Sequence, residues 1–178
     1  MDYQQAYAAA ADPFTAIVRR GRDWGAGSPC EGWSAADVLH HVRTTQREFL
    51  ASHGLDQDWP ADRADPVADW LAHDARVRAL LSEESIGKRA IDGYFGPSTI
   101  GDLMAGFYGW DLLVHRWDLA SALGVDAGLT EAELDAIEAP LAMFGDQLYS
   151  PGICQPPLDV PAAAERQARV LARLGRRG

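Results

Sequence analysis

Cysteine is scarce in this sequence: two residues in 178, Cys30 and Cys154, too far apart to form a CxxC pair. That excludes a thioredoxin-type redox motif and a thiolate zinc knuckle, and a reduced, cytoplasmic protein is expected. Long apolar runs are missing as well. No stretch reaches membrane-spanning length, and the first twenty residues are interrupted by Asp2, Gln4, Gln5, Asp12 and Pro13, so no segment of signal-peptide type is expected there. Positive charge is the third shortage: 16 Lys and Arg stand against 26 Asp and Glu, a formal net charge of -10. The basic residues are scattered apart from a short terminal Arg-Arg. Such a field repels phosphate backbones and anionic head groups, so neither nucleic acid nor a membrane surface is an expected partner. No internal repeat is visible.

What is present is ordinary globular material, 47% hydrophobic and 24% charged. A chain of this length can bury a sizeable core without disulfide or metal staples, and one domain over residues 1–178 is expected. Apolar side chains recur at three- and four-residue spacing in Tyr3, Tyr7, Ala10, Phe14, Ile17 and Val18, which predicts a first helix over 3–24. After a Gly- and Pro-bearing stretch at 25–32, Ser34 to Asp37 reads as a capping box that starts a second helix through Val38, Leu39, Val42 and Phe49. A third helix is expected from Val67 to near Ser85. The stretch 87–97 fits either a brief extended segment or an irregular connection. Thr99 and Asp102 cap a long fourth helix, 100–123, apolar nearly all round and therefore central. Thr130 and Glu133 cap a fifth to about Phe144, and a Pro- and Gly-rich stretch precedes a short basic terminal helix. The class is all-α in the main, with short additional elements.

On a helical wheel the stripe Ile100, Met104, Phe107 of the fourth helix continues through Asp111, His115 and Asp118. A carboxylate among apolar neighbours costs several kcal/mol unless it is paired or binds a cation. Asp111 and His115 are four residues apart, so their side chains leave adjacent turns of one face and can converge on one ion, as in HExxH zinc helices. A third ligand has to come from elsewhere. His41, beside Val42 on the inward face of the second helix, is the best candidate, and His40 points more sideways. Two imidazoles and a carboxylate suit zinc first, with Ni(II), Mn(II) or Fe(II) as alternatives. Asp118 is placed to orient a ligand histidine from behind.

The bland alternative keeps Asp111 as a partner of Arg43, Arg47 or Arg116 and the histidines as hydrogen-bonded core residues. His53 and His73 are expected to be solvated near helix ends, and Cys30 to be a small buried hydrophobe with no base or cation beside it. Trp33, Trp110 and Trp117 are assigned to the core, with one of them available to line a pocket.

Two motifs carry a family resemblance. Pro29-Cys30-Glu31-Gly32-Trp33-Ser34 followed by Asp37-Val38-Leu39-His40-His41-Val42, and Asp111-Leu112-Leu113-Val114-His115-Arg116-Trp117-Asp118-Leu119-Ala120, resemble the DinB-like proteins related to mycothiol-dependent maleylpyruvate isomerase. The closing segment, from Phe144-Gly145 to Arg176, is similar to an actinobacterial branch of that group. The resemblance implies an up-down-down-up four-helix bundle, one divalent metal held at one end by His41, Asp111 and His115, and often a homodimer. It departs at Asp111, where the isomerase carries glutamate, and in lacking that enzyme's additional C-terminal domain. The function it implies is a metal-dependent enzyme of transferase or isomerase type, using a low-molecular-weight thiol such as mycothiol on a small-molecule substrate. Two alternatives stand beside it: a metal-dependent hydrolase, and a non-catalytic metal-binding or stress-response module.

Overall fold

A computed structural model describes residues 2–57, 59–93, 96–150 and 153–177, and these are mainly helical. Helix α1 (Tyr3–Val18) begins where the Asp2 carboxylate accepts from the Gln5 amide, and it buries Tyr7, Ala10, Ala11, Phe14, Ile17 and Val18. It stops six residues short of the periodicity's limit at Trp24. At Gly21 the chain turns so closely that a Cβ would lie 2.3 Å from the Trp24 ring, and Trp24 packs back on the core instead of extending the helix. Helix α2 (Ala35–Ser52) opens with the expected capping box: Ser34 Oγ accepts from the Asp37 amide, and the Asp37 carboxylate accepts from the Ser34 amide at 2.8 Å. Helix α3 (Pro66–Ser82) has Asp65 at its N-cap and proline in its first turn, and the four-residue α4 (Glu84–Gly87) follows it.

The stretch whose conformation the sequence leaves open contains a two-stranded antiparallel hairpin, β1 (Ala90–Gly93) paired with β2 (Gly96–Thr99), with Ile91 opposite Ser98. The fourth helix is not continuous as expected. It divides at Gly106 into α5 (Ile100–Ala105) and α6 (Phe107–Ala122), with ψ of -77° at Gly106. A Cβ there would meet the Asp102 carbonyl oxygen at 2.7 Å, so only glycine lets the backbone pass at this approach. The fifth helix is also divided, into α7 (Glu131–Glu138) and α8 (Leu141–Phe144), on either side of a turn that contains Pro140. A 3-10 turn (Gly145–Tyr149) and α9 (Arg166–Ala172) complete the order. Among the described residues no helix is long and apolar enough to cross a membrane.

Helix α1 lies against α3, α5 and α6, while α2 packs on α6 and α3. The core between them holds fully buried Phe14, Leu50, Trp70, Met104, Leu112 and Leu119. One polar knot crosses it. Gln46 Oε1 accepts from the Tyr7 hydroxyl and from His73 Nε2, both at 3.0 Å, and so ties α1, α2 and α3 to a single amide oxygen. His73 is thus not the solvated histidine expected from its polar neighbours in sequence: it sits in mid-α3 and is 1% exposed. The error came from reading neighbours along the chain, whereas the helical face decides burial.

Burial, reinforced by the Arg43 and Arg47 charges, pushes the His73 pKa down to about 3, so the ring folds neutral. The unfolded chain takes up this proton near pH 6.5 and the folded chain does not, so His73 removes stability as pH falls below that value. Replacing His73 with Gln, which keeps a donor for Gln46, should flatten the loss of stability between pH 6.5 and 5. The difference should approach 1.4 kcal/mol per pH unit, read by urea denaturation of both proteins. Equal slopes would show that His73 does not titrate in this way.

Candidate metal centre

Two helices and two turns build this site. Asp111 and His115 leave successive turns of α6 and His41 leaves α2, and His41, Asp111 and His115 each offer one ligand atom, all within 4.8 Å of one another. His115 Nε2 stands 3.4 Å from Asp111 Oδ1, the separation of two neighbouring ligands that each lie about 2.1 Å from one tetrahedral ion. The His41 and His115 rings meet edge to face with centroids 5.0 Å apart, and Trp33 covers His41 at 4.9 Å. Asp111 Oδ2 is buried and accepts no hydrogen bond. A buried carboxylate oxygen without a donor is costly, and a cation at this point would satisfy it.

The bland pairings proposed for Asp111 do not form. Arg43 bonds Asp62 and Asp69 at 2.6 and 2.9 Å, Arg47 reaches Asp62, and Arg116 makes a two-pronged bond to Glu133 at 2.8 Å. Asp111 is left with His115. His40 is exposed, in line with its sideways placement on α2. His53 caps α2 with Nδ1 2.8 Å from the Phe49 carbonyl oxygen.

Behind His41, Asp111 and His115 stands a support that the sequence revealed only in part. His115 Nδ1 donates to Asp118 Oδ2 at 2.9 Å, which fixes the ring and turns Nε2 toward Asp111, the role expected of Asp118. Asp118 has no exposed surface and is held in turn by Arg176, whose Nε and second terminal nitrogen each donate at 2.7 Å. Arg176 comes from the far end of the chain. After α9, Gly175 with φ of +74° closes a Schellman turn in which the Arg176 amide bonds the Leu171 carbonyl, and this swings the guanidinium inward. An apolar run followed by Gly175 signals a helix end, yet nothing in it names the carboxylate that Arg176 will meet.

Cys30 corrects a second expectation. It lies in a tight turn, with the Trp33 amide bonding the Cys30 carbonyl and Gly32 at φ of +77°, and the turn aims its Sγ at Asp118 Oδ2, 3.4 Å away. A cation does stand beside it, because Arg176 is 3.7 Å from the same sulfur and 3.9 Å from that of Cys154. Cys30, His115 and Asp118 thus form a second close group of donor atoms, sharing His115 with the first. Of the tryptophans, Trp117 is buried, Trp33 packs on His41 and His115, and Trp110 lines a cavity that these histidines also line.

Charge alternates along this row. Burial opposes ionisation of Asp111, but His115, His41 and Arg176 outweigh it and hold the carboxyl below its usual range. Burial likewise opposes the His115 cation, which Asp111 and Asp118 raise well above the ordinary histidine pKa. His41 moves the other way, lowered chiefly by burial. Asp118 is driven down against burial by its bonds to His115 and Arg176.

No family model matches the chain, and no solved structure matches it. It is similar to two uncharacterized proteins of Mycobacterium tuberculosis, one from each of two strains, each 27% identical over 161 residues, which cover 85% of this chain and 85% of the relative.

Arg176→Met takes the guanidinium from the buried Asp118 carboxylate and leaves it His115 as its charged partner, and should cost about 3 kcal/mol of unfolding free energy. Adding Asp118→Asn should restore part of that loss, because no buried charge is then left alone. A double-mutant cycle in urea measures the coupling; strict additivity would show that the pair does not act as a unit.

Proposed function

We propose that the chain is a divalent-metal-dependent enzyme of the DinB-like group, with His41, Asp111 and His115 as ligands. The observation that carries this reading is the meeting of three donor atoms from two helices, one of them from a carboxylate whose buried Oδ2 accepts no hydrogen bond. The four long helices α1, α2, α3 and α6 would be the up-down-down-up bundle of that group, with the centre between α2 and α6. Zinc suits two imidazoles and a carboxylate, and Ni(II), Mn(II) and Fe(II) share that preference. Bound there, the ion would supply Lewis acidity, lowering the pKa of a low-molecular-weight thiol such as mycothiol so that it can attack an electrophilic substrate in a transfer or isomerisation.

The chain's own residues prepare this chemistry. Asp118 holds the Nδ1 proton of His115 and so leaves Nε2 for the ion. Arg176 keeps Asp118 ionised and in place. Trp33, against His41 and His115, screens one side of the site.

Purified without a histidine tag, the protein should carry about one equivalent of metal by elemental analysis. His41→Ala and Asp111→Ala should each lose it, and Asp118→Asn should weaken binding by about 10- to 100-fold. At pH 6.5, where the metal-free His115 is protonated and the lowered His41 is largely neutral, binding has to expel one proton. Affinity should therefore fall about tenfold for each pH unit of acidification there, measured by competition with a chromophoric chelator. A wild-type protein that stays metal-free after reconstitution would remove the reading. Metal-dependent turnover with no added thiol would shift it to a hydrolase.

A further inference from the structure

The centre opens into a cavity of about 550 Å³, within the range of about 300–1,000 Å³ common for small-molecule pockets. His41, Asp111 and His115 form one end. The walls are Phe49, Ile91, Leu103, Tyr108, Trp110 and Val114. Their burial falls toward the mouth, where Phe107 is 45% and Ile153 59% exposed, two of the few large apolar side chains left open to solvent among the described residues.

Several polar groups along the wall are already committed, and among the described residues the Tyr108 hydroxyl is the one wall hydroxyl left to meet a ligand. The Thr45 hydroxyl donates to the His41 and Val42 carbonyls, Trp110 Nε1 to the Ile137 carbonyl, and His53 Nδ1 is bonded to the Phe49 carbonyl. Arg176 is spent on Asp118 and the Leu174 carbonyl. Asp92 is exposed at the rim. The unsatisfied oxygen of Asp111 belongs to the ligand end of the cavity. A ligand rich in hydroxyls would lose its water here and find few replacement partners along the wall, at a cost for each unmade hydrogen bond.

We propose that this cavity binds a small molecule with an aromatic or alkyl body along the Phe49–Tyr108–Trp110 wall and a single metal-binding head at the His41–Asp111–His115 end. In the reaction proposed above, this is the electrophile, and its head would share the ion with the thiol, as a centre with three protein ligands can when it expands to five-coordination. The head rests on the metal reading, and the body does not.

The two parts separate in one titration, read by tryptophan fluorescence because Trp110 lines the cavity. Straight-chain alcohols from butanol to octanol, added to metal-free protein, should bind up to about fourfold tighter per methylene until the cavity is filled. Phe107→Ser, at the exposed rim one helical turn before Asp111 and not itself a candidate ligand, should weaken octanol at least fivefold without changing metal stoichiometry. Alkyl hydroxamates of matched length, added to metal-loaded protein, should bind at least a hundredfold tighter than the alcohols. Absence of chain-length dependence overturns the apolar site even if the metal binds. The same holds if ultracentrifugation shows two copies closed over the Phe107–Ile153 rim with octanol excluded. Retained chain-length dependence with no gain from hydroxamate supports the apolar site and overturns its metal-binding head, while the metal reading stands or falls on metal stoichiometry alone.

Discussion

The bond between Arg176 and Asp118 is the constraint on which the site depends. Both groups are buried, and a buried ion pair is not in itself a large source of stability, because desolvation offsets most of the attraction. Its force is restrictive. Neither charge tolerates being left alone, so the C-terminal turn after α9, the middle of α6 and the Cys30 turn have to meet in one arrangement. Within that arrangement His115 has no freedom to rotate: Asp118 takes Nδ1, and Nε2 is turned to Asp111. Charges alternate from Arg176 through Asp118 and His115 to Asp111, each holding its neighbour ionised.

The division of the long helix at Gly106 serves the same region. Helix α5 packs with the hairpin and α1, while α6 is re-aimed so that its polar stripe faces α2. The hairpin side chain Ile91 and the α5 side chain Leu103 then line the cavity together with Asp111 and His115 of α6. A straight helix over 100–123 would have carried the same residues at one fixed angle. The polar knot of Tyr7, Gln46 and His73 sits elsewhere in the core and joins three helices through one acceptor, which fixes their register without contributing to the centre.

Much of this was legible from spacing. The capping boxes at Ser34 and Thr130 and the simpler N-cap at Thr99 mark helix starts because their hydrogen bonds are local, and local rules read well from local sequence. The pairing of Asp111 with His115 is legible for the same reason: four residues on a helix bring two side chains together regardless of what surrounds them. The helix ends were read less well at Trp24, Gly106 and Pro140. There a ring packed on glycine, a close backbone approach and a turn containing proline ended what apolar periodicity alone would have extended. The hairpin does not show in the sequence because strands of four residues offer too few positions for a period of two to appear.

The sequence by itself determined a mainly helical chain, the joint presentation of Asp111 and His115 by α6, and the choice of His41 over His40 on α2, since each follows from helix geometry within one element. The tertiary structure alone decided that Arg43, Arg47 and Arg116 go to other carboxylates, that His73 is buried and that Arg176 and Cys30 stand behind His115. Those contacts join residues 15 to 146 positions apart, and at such separations only the packing of the whole core selects partners, because no local hydrogen-bond rule reaches that far.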